Sequence, residues 1–235
     1  MRGKSKEFFA KYRFAIAFCY VPIYFLWFTL VEKRTNVEFT YMHCRVDDMI
    51  PFCEYFIIPY LMWFGYVALG VVFLAFQTRF PKDFNRCVIA LMTGMTVFLI
   101  VSTVWPNAQS MRPESFARDN MFTRLIAGLY STDTSTNVFP SIHVYNSIVI
   151  HVALCKCHAL RGKSVGKRIV KALSLLLCVS ICISTMTLKQ HSFLDFCGAV
   201  VMYGVVYLIV YRPTGAYLYL VRQIRQRRNE IEVRE

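Results

Sequence analysis

The chain has 235 residues, 56% hydrophobic and 17% charged, which suits one sizeable domain and is too apolar for an ordinary soluble one. Its 27 lysines and arginines against 14 acids give a formal charge of +13, but they sit in short connections between apolar windows, which argues against a nucleic-acid partner. Six windows of about 18 to 22 residues predict an all-α fold, a six-transmembrane-helix bundle of a polytopic membrane protein, in a single domain without repeat or linker.

The first span, 14–31, carries Pro22, which implies a kink. Basic residues precede it and no small-residue cleavage site follows, so it reads as an uncleaved span. Residues 32–53 lean acidic, with Glu32, Glu38, Asp47 and Asp48 against Lys33, Arg34 and Arg45. They read as a solvated loop, with a short amphipathic or substrate-guiding segment as the alternative. Of nine cysteines, Cys44 and Cys53 in this loop are the pair that compartment would allow to form a disulfide. The second span, 54–76, holds Tyr55, Tyr60 and Trp63, which read as an interfacial aromatic belt.

The third span, 87–104, follows a short basic turn, and residues 105–140 form the longest non-helical connection. Pro140, at or near the first helical position, opens the fourth span, 141–158. The fifth, 169–187, is joined to the sixth, 192–211, by a tight turn carrying Lys189. His151 reads as a polar contact within the bundle, and His43 and His158 as loop or interface residues. Four connections hold 20 of the 27 basic residues: the N-terminus (Arg2, Lys4, Lys6, Lys11, Arg13), 77–86, 156–171 and the tail with Arg212, Arg222, Arg225, Arg227, Arg228 and Arg234. The positive-inside rule makes that side cytoplasmic, with attraction to anionic headgroups as a secondary reading. Both termini are then cytoplasmic, and His143, His191, Asp195 and Arg112 fall on the extracytoplasmic face.

His191 and Asp195 are four apart, on one helical face, at the mouth of an apolar helix where ionisable residues are costly. Two helices starting side by side offer free amides and positive dipole ends, a site for an anion. With Arg112 and Lys189 nearby, the expected anion is a phosphate. Two histidines can divide phosphoryl transfer: one attacks phosphorus and the other protonates the leaving oxygen. Asp195, accepting from the His191 Nδ1–H, would leave Nε2 free to attack.

Three blocks of sequence resemble the phosphatidic acid phosphatase type 2 superfamily of membrane lipid phosphatases and phosphotransferases. Its pattern has a Lys seven before Arg-Pro, then Pro-Ser-Gly-His, then Ser-Arg, five residues, His, three residues, Asp. Here Arg112 and Pro113 match the first block, Pro140, Ser141 and His143 the second, and Ser184, His191 and Asp195 the third. Trp105 stands at the Lys position, Ile142 at the Gly and Thr185 at the second Arg. By this resemblance His191 would be the nucleophile, Asp195 its orienting carboxylate and His143 the general acid. Arg112, Ser141, Lys189 and Ser184 would bind substrate, with no metal or other cofactor. The activity implied is hydrolysis of a lipid phosphate monoester or pyrophosphate through a phosphohistidine intermediate at the outer face of the membrane. The alternatives are transfer of a phospho-headgroup to an alcohol, as in the inositolphosphotransferase and sphingomyelin synthase branches, and a non-catalytic anion-binding membrane protein.

Overall fold

The structure, a computed structural model, describes residues 18–35, 37–77, 79–212 and 223. The basic residues Arg2, Lys4, Lys6, Lys11, Arg13, Arg222, Arg225, Arg227, Arg228 and Arg234, and the first four residues of the expected first span, lie outside the described residues.

The described chain is all-α in its long elements. The helices are α1 (Phe18–Glu32), α2 (Arg45–Met49), α3 (Ile57–Phe76), α4 (Pro81–Val104), α5 (Met121–Thr132), α6 (Ile142–Lys156), α7 (Val165–Thr187) and α8 (Phe193–Tyr211). Among the described residues four are long and apolar enough to cross a bilayer: α3 with the 3-10 turn before it (Glu54–Phe76), α4, α7 and α8. By length and composition these are helices suited to an integral membrane protein. Of the six expected spans these account for four; α1 and α6 are apolar and shorter over the described residues, and the first four residues of the first span lie outside them.

Helix α6, 15 residues and so about 22 Å long, is the central helix of the bundle. Helices α3, α4, α7 and α8 pack around it. Its buried residues include Tyr145, Asn146 and Ser147 as well as Val144, Val149 and Ile150. Protein rather than lipid surrounds most of the helix, so polar side chains are tolerated and an amphipathic stripe is not needed. Close approach to α4 depends on Gly94, where a Cβ would lie 2.0 Å from Tyr145 Cε1. The Tyr145 hydroxyl then donates to the Ala90 carbonyl at 2.7 Å.

At the far end of the bundle α4 begins at Pro81, six residues before the expected position. Pro81 occupies the first helical turn, where its missing N–H costs nothing. Buried Asp83 accepts the His158 amide at 2.6 Å and faces its Nδ1 at 2.9 Å, which joins the 77–86 and 156–171 connections. His151 makes the expected bundle contact, Nδ1 to Ser174 Oγ at 3.1 Å.

At the opposite end both long connections are structured. Strand β1 (Thr40–Tyr41) pairs in parallel with β2 (Asn107–Ala108), tying 32–53 to 105–140. The 105–140 connection contains α5, started by a capping box in which Asn120 accepts the Phe122 and Thr123 amides at 2.9 and 3.0 Å. Ile126 of α5 is fully buried with Ile57, Tyr60 and Leu188. Twelve residues with one apolar face were enough for a helix once that face had a floor to pack on. The solvated-loop reading of 32–53 is also corrected, because α2 buries Asp47. Cys44 and Cys53 are free thiols.

Candidate active site

The α7–α8 turn builds one half of the site. The Thr185 carbonyl accepts both the Gln190 and His191 amides at 3.0 Å, and Lys189 takes a left-handed conformation, φ 52°. This reversal sets His191 at the start of α8. Ser192 is the N-cap, its hydroxyl accepting from the Leu194 amide at 3.1 Å, while Asp195 Oδ2 accepts the Ser192 amide at 2.9 Å. The same Oδ2 lies 3.3 Å from His191 Nδ1. A buried carboxylate there calls for a proton on Nδ1 and leaves the Nε2 lone pair free. Asp195 therefore has two roles, closing a capping box and orienting a histidine.

The other half is the start of α6. Ser141 is its N-cap, accepting the Val144 amide at 3.4 Å. Pro140 stands one residue before this cap rather than inside the helix. The amide of Ser141, a residue the resemblance makes a substrate ligand, donates to the Asp195 carbonyl at 3.2 Å, which locks the two helix starts together. The amides of Ile142 and His143 have no partner among the described residues. The His143 ring is 5.7 Å from that of His191. It is walled by Tyr60 at 4.7 Å and Trp63 at 4.3 Å, so these two are site residues rather than an interfacial belt, and Tyr55 alone of the three is exposed.

A cavity of ≈ 40 Å³, large enough for a small group, is lined by His143, His191, Gln190, Asp133, Asn137 and Phe28 among others. Arg112 borders this region but is heavily engaged. Its Nη1 donates to the Tyr130 and Asp133 carbonyls at 3.3 and 2.8 Å, and its Nη2 to the Thr134 carbonyl at 2.9 Å and to Gln190 Oε1. It thereby caps the C-terminal end of α5, the negative end of that helix. Burial lowers the Arg112 guanidinium from its ordinary value, with Asp133 and Tyr130 opposing. Burial raises the Asp133 carboxyl, ahead of the downward pull of His191 and Arg112.

The remaining expected substrate ligands are committed elsewhere. Lys189 Nζ donates to the Asp47 and Ile50 carbonyls at 2.8 and 2.6 Å and does not line the cavity. Ser184 is buried with its hydroxyl on the Ile181 carbonyl at 2.6 Å. Thr185, at the family's arginine position, turns its hydroxyl to the Cys182 carbonyl at 2.8 Å. Trp105, at the lysine position, bonds Thr40 Oγ1 through Nε1 at 2.9 Å. No group of three or more His, Cys, Asp or Glu side chains suited to a metal ion occurs among the described residues.

Beyond Tyr60 and Trp63, sequence reasoning missed three contributors, Asp47, Gln190 and Asp133. Asp47 accepts from Ser192 Oγ at 2.6 Å, the Phe193 amide at 2.7 Å and the Cys44 amide at 2.8 Å, and so clamps the start of α8. Burial by itself would raise its carboxyl, but these hydrogen bonds, led by Ser192 and Phe193, hold it below the usual carboxylate range. Gln190 and Asp133 line the cavity. Gln190 is adjacent to His191 in the turn that carries Lys189, whereas Asp47 and Asp133 have no local signal. Comparison with protein-family models, with curated proteins and with solved structures returned no match to this chain.

Proposed function

We propose that the chain is a membrane enzyme of the phosphatidic acid phosphatase type 2 kind that hydrolyses a lipid phosphate ester through a phosphohistidine. The observation that carries this reading is the buried His191–Asp195 pair, 3.3 Å apart, with the His143 ring 5.7 Å away across a small cavity. In the first step His191 Nε2 attacks phosphorus and the bond to the leaving oxygen breaks. The proton for that oxygen comes through His143, whose Nδ1 is buried and which takes up a proton only once the negative charge of the phosphate lies beside it, and Asp195 stabilises the positive charge on the His191 ring. In the second step neutral His143 takes a proton from water as the water oxygen attacks phosphorus. The P–N bond breaks, phosphate leaves and His191 returns to the neutral form.

In this reading α1 and α6 complete six spans, both termini are cytoplasmic and the site opens on the extracytoplasmic face. The contact of Asp83 with His158 supports the arrangement, because it joins two of the basic connections at the end opposite the histidines. Labelling single introduced cysteines in intact cells tests it: Thr134→Cys is expected to react with an impermeant reagent and Lys163→Cys not, and the reverse pattern would invert the topology.

The activity test is phosphate or headgroup release by purified protein from a panel of lipid phosphates, with and without an added alcohol. His191→Ala is expected to reduce release by about 1,000-fold or more while the protein still inserts. Full activity in that variant would sink the mechanism. Absence of all turnover with anion binding intact would favour a binding protein.

A further inference from the structure

The family pattern supplies its phosphate with cations, and this chain replaces two of them with Trp105 and Thr185. The two nearby cations are largely committed and neither lines the cavity, the Arg112 Nε–H alone being buried without a partner among the described residues. Lys189 is held by two backbone carbonyls, and Arg112 has four of its five N–H groups on protein acceptors. What remains in the cavity wall is a neutral donor. Gln190 is 2% exposed, and its Oε1 is taken by Arg112. A guanidinium N–H can face only the oxygen of a carboxamide, so this contact decides which end of the amide is which. Its Nε2, two N–H donors, is buried and has no partner among the described residues. A buried amide left unpaired is costly, and in a cavity shared with two histidines the group that would repay it is an acceptor oxygen.

We propose that the Gln190 carboxamide is a phosphate-binding group of this cavity, donating from Nε2 to a phosphoryl oxygen, and that Arg112 is the positioning residue that turns it. The inference rests on the proposed phosphohistidine chemistry for its substrate, but its central test does not require turnover. The arrangement substitutes a fixed dipole for a mobile charge: Arg112 stays on the α5 carbonyls and acts on the ligand through the amide it orients. Such a donor is set in place before the ligand arrives, so no long cationic side chain has to be ordered on binding.

The test compares wild type with Gln190→Glu for binding of inorganic phosphate, followed by 31P line broadening, alongside thermal unfolding. Glutamate keeps an oxygen on Arg112 and removes both donors, so the fold is expected to hold while phosphate affinity drops by about 100-fold or more. If Gln190→Glu does not fold, Gln190→Met, which also removes the donors, is read in the same way. Arg112→Lys is expected to weaken phosphate binding in the wild-type background and to add little in Gln190→Glu, because both act through one amide. Equal phosphate affinity in wild type and the Gln190 variant overturns the proposal, as does wild type that binds no phosphate. Loss of binding in the variant with no lipid turnover by wild type upholds the role of Gln190 and rejects the enzymatic reading instead.

Discussion

Asp47 makes a demanding test of how the site is held, because it lies 144 residues before His191 in the sequence and touches neither histidine. Its side chain is 3% exposed and accepts three hydrogen bonds at 2.6 to 2.8 Å, two of them from Ser192 and Phe193 at the start of α8. Asp47→Ala leaves the Phe193 and Cys44 amides and the Ser192 hydroxyl without this acceptor, and each buried donor so stranded costs about 1–3 kcal/mol. Some of these groups find water, so a total of about 2–5 kcal/mol is expected. The loss should be local first, appearing as faster hydrogen exchange at the Phe193 amide before global unfolding shifts. The pH dependence has a definite sign: a carboxyl held below its usual range stabilises the fold above its ordinary value, and that stabilisation disappears as pH falls through the folded-state value. Denaturant unfolding of the solubilised protein against pH should therefore show an acid limb in wild type that Asp47→Asn flattens. Stability within about 0.5 kcal/mol of wild type in Asp47→Ala, with unchanged exchange at Phe193, would refute the clamp.

Asp133 should behave in the opposite way: burial raises its carboxyl, so ionising it costs stability, and stability falls as pH rises from the ordinary carboxylate value through the raised one. Asp133→Asn is expected to remove that downward slope in the same unfolding series; a slope left intact would place its origin elsewhere. Gly94→Ala forces a methyl to within 2.0 Å of the Tyr145 ring, and a loss of about 1–3 kcal/mol is expected, with an unchanged melting temperature as the contrary result. Asp195→Asn keeps an oxygen for the Ser192 amide but loses the charge behind His191, so turnover should fall by about 1,000-fold or more while stability changes by about 1 kcal/mol. Turnover per folded molecule left unchanged, with stability lowered, would mark Asp195 as a capping residue alone. Turnover is expected to survive a chelator, and its abolition with recovery on added zinc would require a metal in the reaction.

The parts of the molecule legible in the sequence are those set by local pattern. The α3, α7 and α8 windows come from uninterrupted apolar runs, and the 191–195 spacing alone puts His191 against Asp195. What was hidden depends on partners distant in sequence. The α5 face becomes a helix face only against Ile57 and Leu188, and Tyr60 and Trp63 look like an interfacial belt until α6 brings His143 between them. The acid-leaning 32–53 segment gave no hint that one of its carboxylates would close on a helix start far along the chain. Arg112 shows the same limit from the other side: its identity was readable, but the α5 carbonyls that occupy it were not, since α5 itself was unseen.

Oxygen Oδ2 of Asp195 serves both the Ser192 amide and the His191 ring. Nucleating α8 and aiming the histidine are consequently one event, and a chain that has folded this turn has already turned the His191 ring. Directed evolution on this scaffold would feel that economy as a constraint. Selection for stability would retain Asp195 even in lineages with no activity to preserve, so an aspartate surviving there testifies to the helix as much as to the chemistry. The neighbouring histidine, which closes no cap, is the position whose retention would speak for function.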